Sequence, residues 1–226
     1  MFELPLFPLN TVLFPGMPVR LHIFEERYLL MLKKALETNR TFGISLIRKG
    51  NEALGPLPEP FETGCTARIV EVDQSENGAY DLTVVGDERF RILHVGASQP
   101  YLTAFVESTP LQAHHTLGVV RGARILRARL VRYLALLAKH VDEDKADFEM
   151  GVDLTGLQLP EDPLMLIHLA AALLQIPAIE KQPLLEADTA SLLLAKVQHL
   201  LRREMAILPP MFAVGEEQAR TSAWVN

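Results

Sequence analysis

The chain has 226 residues, 49% hydrophobic and 22% charged, enough apolar material for one large or two small domains with a proper core. Its 22 lysines and arginines stand against 28 acidic residues, a net charge of −6, which disfavours nucleic-acid binding that relies on neutralising phosphates. The single cysteine, Cys65, excludes an intramolecular disulfide and a cysteine-built zinc site, and its alternation with Ala67 and Ile69 marks it as a small buried hydrophobe.

The amino terminus, Met1, Phe2 and Glu3, has no basic region, so neither a secretory nor a transit signal is expected. The longest charge-free runs, 4–19 and 163–179, are proline-broken or shorter than the roughly 18 to 20 residues of a membrane span. These features predict a cytoplasmic protein with no membrane partner.

Pro5, Pro8, Pro15 and Pro18 each fix φ and remove an N–H, so the apolar residues between them form short extended segments with edges or bulges at the prolines. Val19, Leu21 and Ile23 then alternate with Arg20 and His22 as in a half-buried strand, while Phe24, Tyr28, Leu32 and Ala35 recur at helical spacing. A helix over about 25–37 is predicted to lay its apolar stripe on the sheet. Further alternations, at Phe42/Ile44/Leu46, Cys65/Ala67/Ile69, Tyr80/Leu82/Val84, Phe90/Ile92 and Leu102/Ala104/Val106, predict a β-meander closing toward a barrel over residues 1–110. Asn77-Gly78 predicts a type I′ hairpin turn. The loop 48–64, with Gly50, Gly55, Pro56, Pro58 and Pro60, is expected to be irregular, exposed and mobile.

The segment 108–118 reads as a link, and from about residue 116 the pattern turns helical. Leu126, Leu130, Tyr133, Leu134 and Leu137 fall on one face of the next helix, with Arg121, Arg124, Arg127, Arg129 and Arg132 on the other. Asp162-Pro163 is an N-cap with a proline at the first helical position, and 164–175 is apolar all round, as a buried core helix is. A last helix over about 189–206 buries Leu193, Val197, Leu200, Leu201 and Met205. The domains expected are a β-rich unit at 1–110, a helical bundle at 116–208 and a tail at 209–226.

The run LPLFPLNTVLFPGMPVRLHIFEERYLLML, 4–32, is similar to the opening signature of the Lon amino-terminal, or substrate-binding, domain family: LPLFPL, then VLFPG, then L-x-IFE-x-RY. The segment 64–93 resembles that family's G-x-x-A-x-I, L-x-V-x-G and R-F-x-I strands, and KQPLLE, 181–186, resembles the KQ-x-LLE that opens its last helix. The resemblance implies an α+β fold, a PUA-like β-barrel with one packed helix followed by a C-terminal helical bundle. It also implies a non-catalytic module that recognises unfolded or tagged polypeptides, with an ATP-dependent protease as a partner.

Catalytic residues, metal ligands and cofactors are not expected. The full protease of the family needs a P-loop ATPase and a Ser-Lys dyad. No lysine here follows a glycine, so the GK[ST] end of a P-loop is missing. GISLI around Ser45 lacks the second glycine of a nucleophile elbow, and strand alternation predicts Ser45 on the exposed face. His114 and His115 are adjacent rather than at helical ligand spacing and read as linker residues. His168, inside the apolar helix, reads as an interior histidine donating to a carbonyl.

Glu25, Glu26 and Arg27 open the first helix, where the unpaired N–H groups favour acids. Arg27 is expected to pair with a carboxylate of the barrel. The competing reading makes Glu26 and Arg27 contacts for a partner, joined by Phe7 and Phe14, whose proline-interrupted strands would offer edge groups to an extended peptide. The arginine face over 119–138 is expected to pair with Glu161, Asp142, Glu143 or Asp144. Two other functions stay open: an RNA-binding module on that face, and a small hydrolase whose site is assembled from distant residues.

Overall fold

A computed structural model describes residues 1–52, 55–75, 77–112, 116–138 and 159–222, with side chains through 207. His114, His115, Asp142, Glu143 and Asp144 lie outside the described residues. The order is β1 (Phe2–Leu9), β2 (Pro18–Ile23), α1 (Glu26–Glu37), β3 (Thr41–Lys49), β4 (Glu59–Gln74), β5 (Tyr80–Gly96), β6 (Leu102–Ser108), α2 (Leu117–Ala138), α3 (Pro163–Leu173), α4 (Ala178–Leu185) and α5 (Ala190–Ser222). This is an α+β fold, with a mixed sheet and five helices among the described residues.

The sheet runs β2-β5-β4-β3-β1-β6, and β5 also pairs with β6, so the hydrogen-bonded path from β5 through β4, β3, β1 and β6 returns to β5. β1 is parallel to β3 through Leu6–Leu9 and antiparallel to β6 through Phe2–Leu6. Pro5 and Pro8 therefore each sit in a half of β1 that is paired on one side only, where a missing N–H costs no ladder bond. Among the described residues β2 pairs with β5 alone. The two strands expected around Val84 and Phe90 are one, since β5 pairs with β2 over Tyr80–Val85, with β4 from Tyr80 to Arg91 and with β6 from Phe90 to Gly96.

Three other expectations are corrected here. The hairpin at Asn77-Gly78 exists, with Gln74 opposite Tyr80, but of these two residues only Gly78 has positive φ. Ser75 bonds across to Ala79, and Asn77 Oδ1 accepts from Ala79 N at 3.0 Å; the side chain closes the turn, so a type I′ geometry is not required. The expected loop ends early because β4 starts at Glu59, with Pro60 at a register shift opposite Ile47. Residues 181–185 lie in the short helix α4, with Glu186 as its C-cap, rather than opening the last helix, and α5 continues past Ala206 to Ser222.

The core forms three clusters. Leu4, Leu6, Phe90, Ile92, Leu102, Ala104 and Val106 fill the space between β1, β5 and β6. Tyr28, Met31, Leu32 and Ala35 of α1 pack with Phe7, Phe42, Ile44 and Val84 of the sheet. Leu126, Leu130, Tyr133 and Leu137 of α2 join α3 and α5, as the helical spacing predicts, together with Val12, Phe14 and Met17 from the loop before β2. In α3 every residue from Leu166 to Leu173 is buried, and Asp162 accepts from Met165 N at 2.8 Å as its N-cap.

The signature residues join the two halves. Arg89 of β5 is 6% exposed and donates to the carbonyls of Thr109, Leu185 and Ala187. Gln182 of α4 donates to Thr63 O on β4 at 3.1 Å and to Glu186 at 2.8 Å. Gly64 lies where a β-carbon would sit 2.4 Å from the Ile44 carbonyl, so close strand approach excludes a side chain there.

Candidate functional site on the first helix and the edge of β2

α1 is amphipathic, and its buried stripe leaves apolar residues over on the flank. Leu30 is 47% exposed and Phe24, at the turn from β2 into α1, is 55% exposed. With Leu29, Leu32, Leu36 and Tyr80, Leu30 lines a groove of about 540 Å³ rimmed by Glu26, Lys33 and Glu37. Tyr80 is the cross-strand partner of Ile23, the last residue of β2. The unpaired side of β2 and this groove thus belong to one corner of the molecule, with Phe24 between strand and helix. The corner can offer main-chain hydrogen bonds to an extended chain and an apolar slot to its side chains.

Of the residues anticipated for binding, only Glu26 lines this groove. Phe7 and Phe14 are 6% and 1% exposed. Phe7 packs tilted against Tyr28 at 4.4 Å between ring centroids, and Phe14 enters the helical core, so neither is left at a free edge. β1 itself is flanked by β3 and β6; the open edge is that of β2.

Arg27 is a bracing residue. It pairs with Glu25 at 3.0 Å, donates to the carbonyls of Gly55 at 3.0 Å and Glu52 at 3.4 Å, and lies 4.7 Å over the Tyr28 ring. The carboxylate partner is thus in its own helix start, not on the sheet, and Glu25 makes no side-chain cap. The same loop is tied from the other side, where Asn10 N donates to Glu52 Oε2 at 2.8 Å. Tyr28 is buried and its phenol pKa is raised, mainly by burial and against the Arg27 charge.

Other candidates resolve into structural roles. Ser45 is buried, not exposed, and donates to Phe61 O; its side of β3, shared with Gly43, turns toward Leu4, Leu6 and Phe90. Cys65 is fully buried and its thiol pKa is pushed up by that burial. His168 is 3% exposed and the Pro15 carbonyl is the main-chain acceptor facing its ring, though outside strict hydrogen-bond geometry. Its pKa falls to about 4, chiefly from burial and also from the Arg89 charge, with Asp162 and the Pro15 main chain opposing. Among the described residues no group of three or more His, Cys, Asp or Glu side chains is placed to hold a metal ion, and no helix is long and apolar enough to cross a membrane.

The architecture has solved counterparts. It is similar to the Lon N-terminal domain protein from Xanthomonas campestris, with a TM-score of 0.58 and 24% identity over 89% of this chain and 98% of that one. It is similar also to the N-terminal domain of a Mycobacterium avium complex Lon protease, with a TM-score of 0.57 and 19% identity over 89% and 98%. In sequence it is 26% identical over 209 residues to a Lon protease of Anaeromyxobacter dehalogenans and 28% identical over 206 residues to Lon protease 2 of Myxococcus xanthus. Each alignment takes in 91% of this chain but 24% of the relative, so the chain spans about a quarter of the length of these proteases. Residues 3–203 match the family described as the ATP-dependent protease La (LON) substrate-binding domain, and the chain belongs to that family.

Proposed function

We propose that this protein is a non-catalytic module that captures unfolded or tagged polypeptide in the α1 groove and along the open edge of β2, as an accessory to an ATP-dependent protease. The observation that carries the reading is the coincidence of an unpaired strand edge with a rimmed apolar groove, which leaves Leu30 in the groove and Phe24 beside it exposed at one corner. Membership of a substrate-binding family supports it. The closed pairing path is read as a PUA-like barrel and α2 to α5 as its helical bundle. Glu26 belongs to the contact surface, and Arg27 and Phe7 hold that surface in place from beneath, while Phe14 packs in the helical core.

A flexible chain loses conformational entropy on binding and gains only a few apolar anchors, so the affinity expected is about micromolar. Fluorescence anisotropy of a labelled, reduced and carboxymethylated polypeptide tests this. Binding should persist on raising the salt, since apolar burial gains little from ion pairing, and Leu30→Asp should weaken it at least about tenfold. Binding unchanged by Leu30→Asp, or no binding, would refute the proposal.

A further inference from the structure

A second surface lies on the helical half. α2 and α5 meet closely at Gly122, where a β-carbon would fall 2.4 Å from Leu194 Cδ2 and where Gln198 donates to Gly122 O at 3.1 Å. Further along the same two helices is a cleft of about 870 Å³, lined by Ile125, Ala128, Met205 and Ala206 with Arg124, Arg129, Arg132 and Arg202 around them. Among the described residues no acidic side chain lines it, and none of these four arginines has an ion-pair partner. Arg127, which points elsewhere, is by contrast committed to the carbonyls of Leu159 and Pro160. Ile125 is 52% exposed. Among the described residues, then, four guanidinium groups surround an apolar floor with no carboxylate beside them, on a chain whose net charge is −6.

We infer that this cleft docks an acidic amphipathic helix of a protein partner, apolar side chains on Ile125, Ala128 and Met205 and carboxylates on the four arginines. Guanidinium groups bind carboxylates through paired, charge-assisted hydrogen bonds, and the apolar floor supplies the contact area that an ion pair alone does not. Arg124 and Arg132 are eight residues apart, about 12 Å along the helix axis, which matches roughly two turns of a partner helix. RNA fits less well: no aromatic side chain lines the cleft to stack a base. The site is separate from the α1 groove and does not depend on it.

The test uses the full chain and four labelled probes: a helical peptide with Leu on one face and Glu on the other, the same peptide with Gln for Glu, an oligoglutamate, and a single-stranded RNA. The acidic amphipathic peptide should bind, the Gln and oligoglutamate peptides at least about tenfold more weakly, and the RNA more weakly than the acidic peptide. Arg124→Gln with Arg132→Gln, and separately Ile125→Ser, should each reduce binding of the acidic peptide, with unchanged circular dichroism showing that these exposed positions leave the fold intact. Equal binding of oligoglutamate, preferred binding of RNA, or acidic-peptide binding that survives both sets of substitutions would each overturn the inference.

Discussion

Gly16 and Met165 touch so closely that a β-carbon at position 16 would fall 2.2 Å from Met165 Cε. Gly16 also has φ +76°, and its N–H bonds Gly86 O at 2.8 Å while Gly86 N returns to Met17 O at 2.9 Å. The VLFPG segment is therefore clamped between β5 and α3. Gly16→Ala should destabilise by about 2 kcal/mol or more, from left-handed strain and the displaced methionine together. Gly55→Ala, where a β-carbon would meet nothing within 4 Å, should stay within about 0.5 kcal/mol in the same urea titration.

Arg89→Met should cost at least about 2 kcal/mol, because it leaves the carbonyls of Leu185, Ala187 and Thr109 buried without their donor. Burial lowers the arginine's own pKa and the nearby Asp188 opposes this. Chemical denaturation followed by far-ultraviolet circular dichroism checks it; a loss below half a kilocalorie would show that the halves are joined by apolar contact alone.

Leu130→Ala should cost about 2 to 5 kcal/mol, since Leu130 is fully buried in the core of the helical half. Ile125→Ala, on the exposed side of the same helix, should have a much smaller effect. The contrast between the two urea midpoints reads out the helix face directly.

His168 should make stability fall with acid. Its folded-state pKa, about 4, lies below the ordinary 6.5, so the proton is bound preferentially by the unfolded chain. Stability is fully present above about pH 6.5 and is lost between there and pH 4, by up to about 3 kcal/mol. Thermal unfolding across that range should show the slope in the native protein and its reduction in His168→Gln.

The elements were legible where spacing and punctuation agreed. Tyr28, Met31, Leu32 and Ala35 follow helical periodicity onto the sheet, and Asp162-Pro163 starts α3 as its residue types dictate. Long-range competition hid the rest. Ser45 alternates as an exposed strand residue does, yet it is buried, because its side of β3, shared with Gly43, turns toward Leu4, Leu6 and Phe90 from distant parts of the chain. Phe7 and Phe14 look like free anchors beside prolines, but their pockets are built by α1 and by the helical half. The α1 groove needed Tyr80 opposite Ile23, a pairing set by register and not by any local motif. One cue was present: Leu30 falls outside the helix's buried stripe and has no neighbour in sequence to cover it.

Amide chemical-shift mapping locates the binding surface most directly. With an unlabelled unfolded polypeptide titrated into isotope-labelled protein, the largest changes should fall in 18–24, in 26–37 and around Tyr80, with α2 and α5 little affected. Changes confined to other surfaces, or none at saturating polypeptide, would contradict the assignment of the α1 groove and the β2 edge as the capture site.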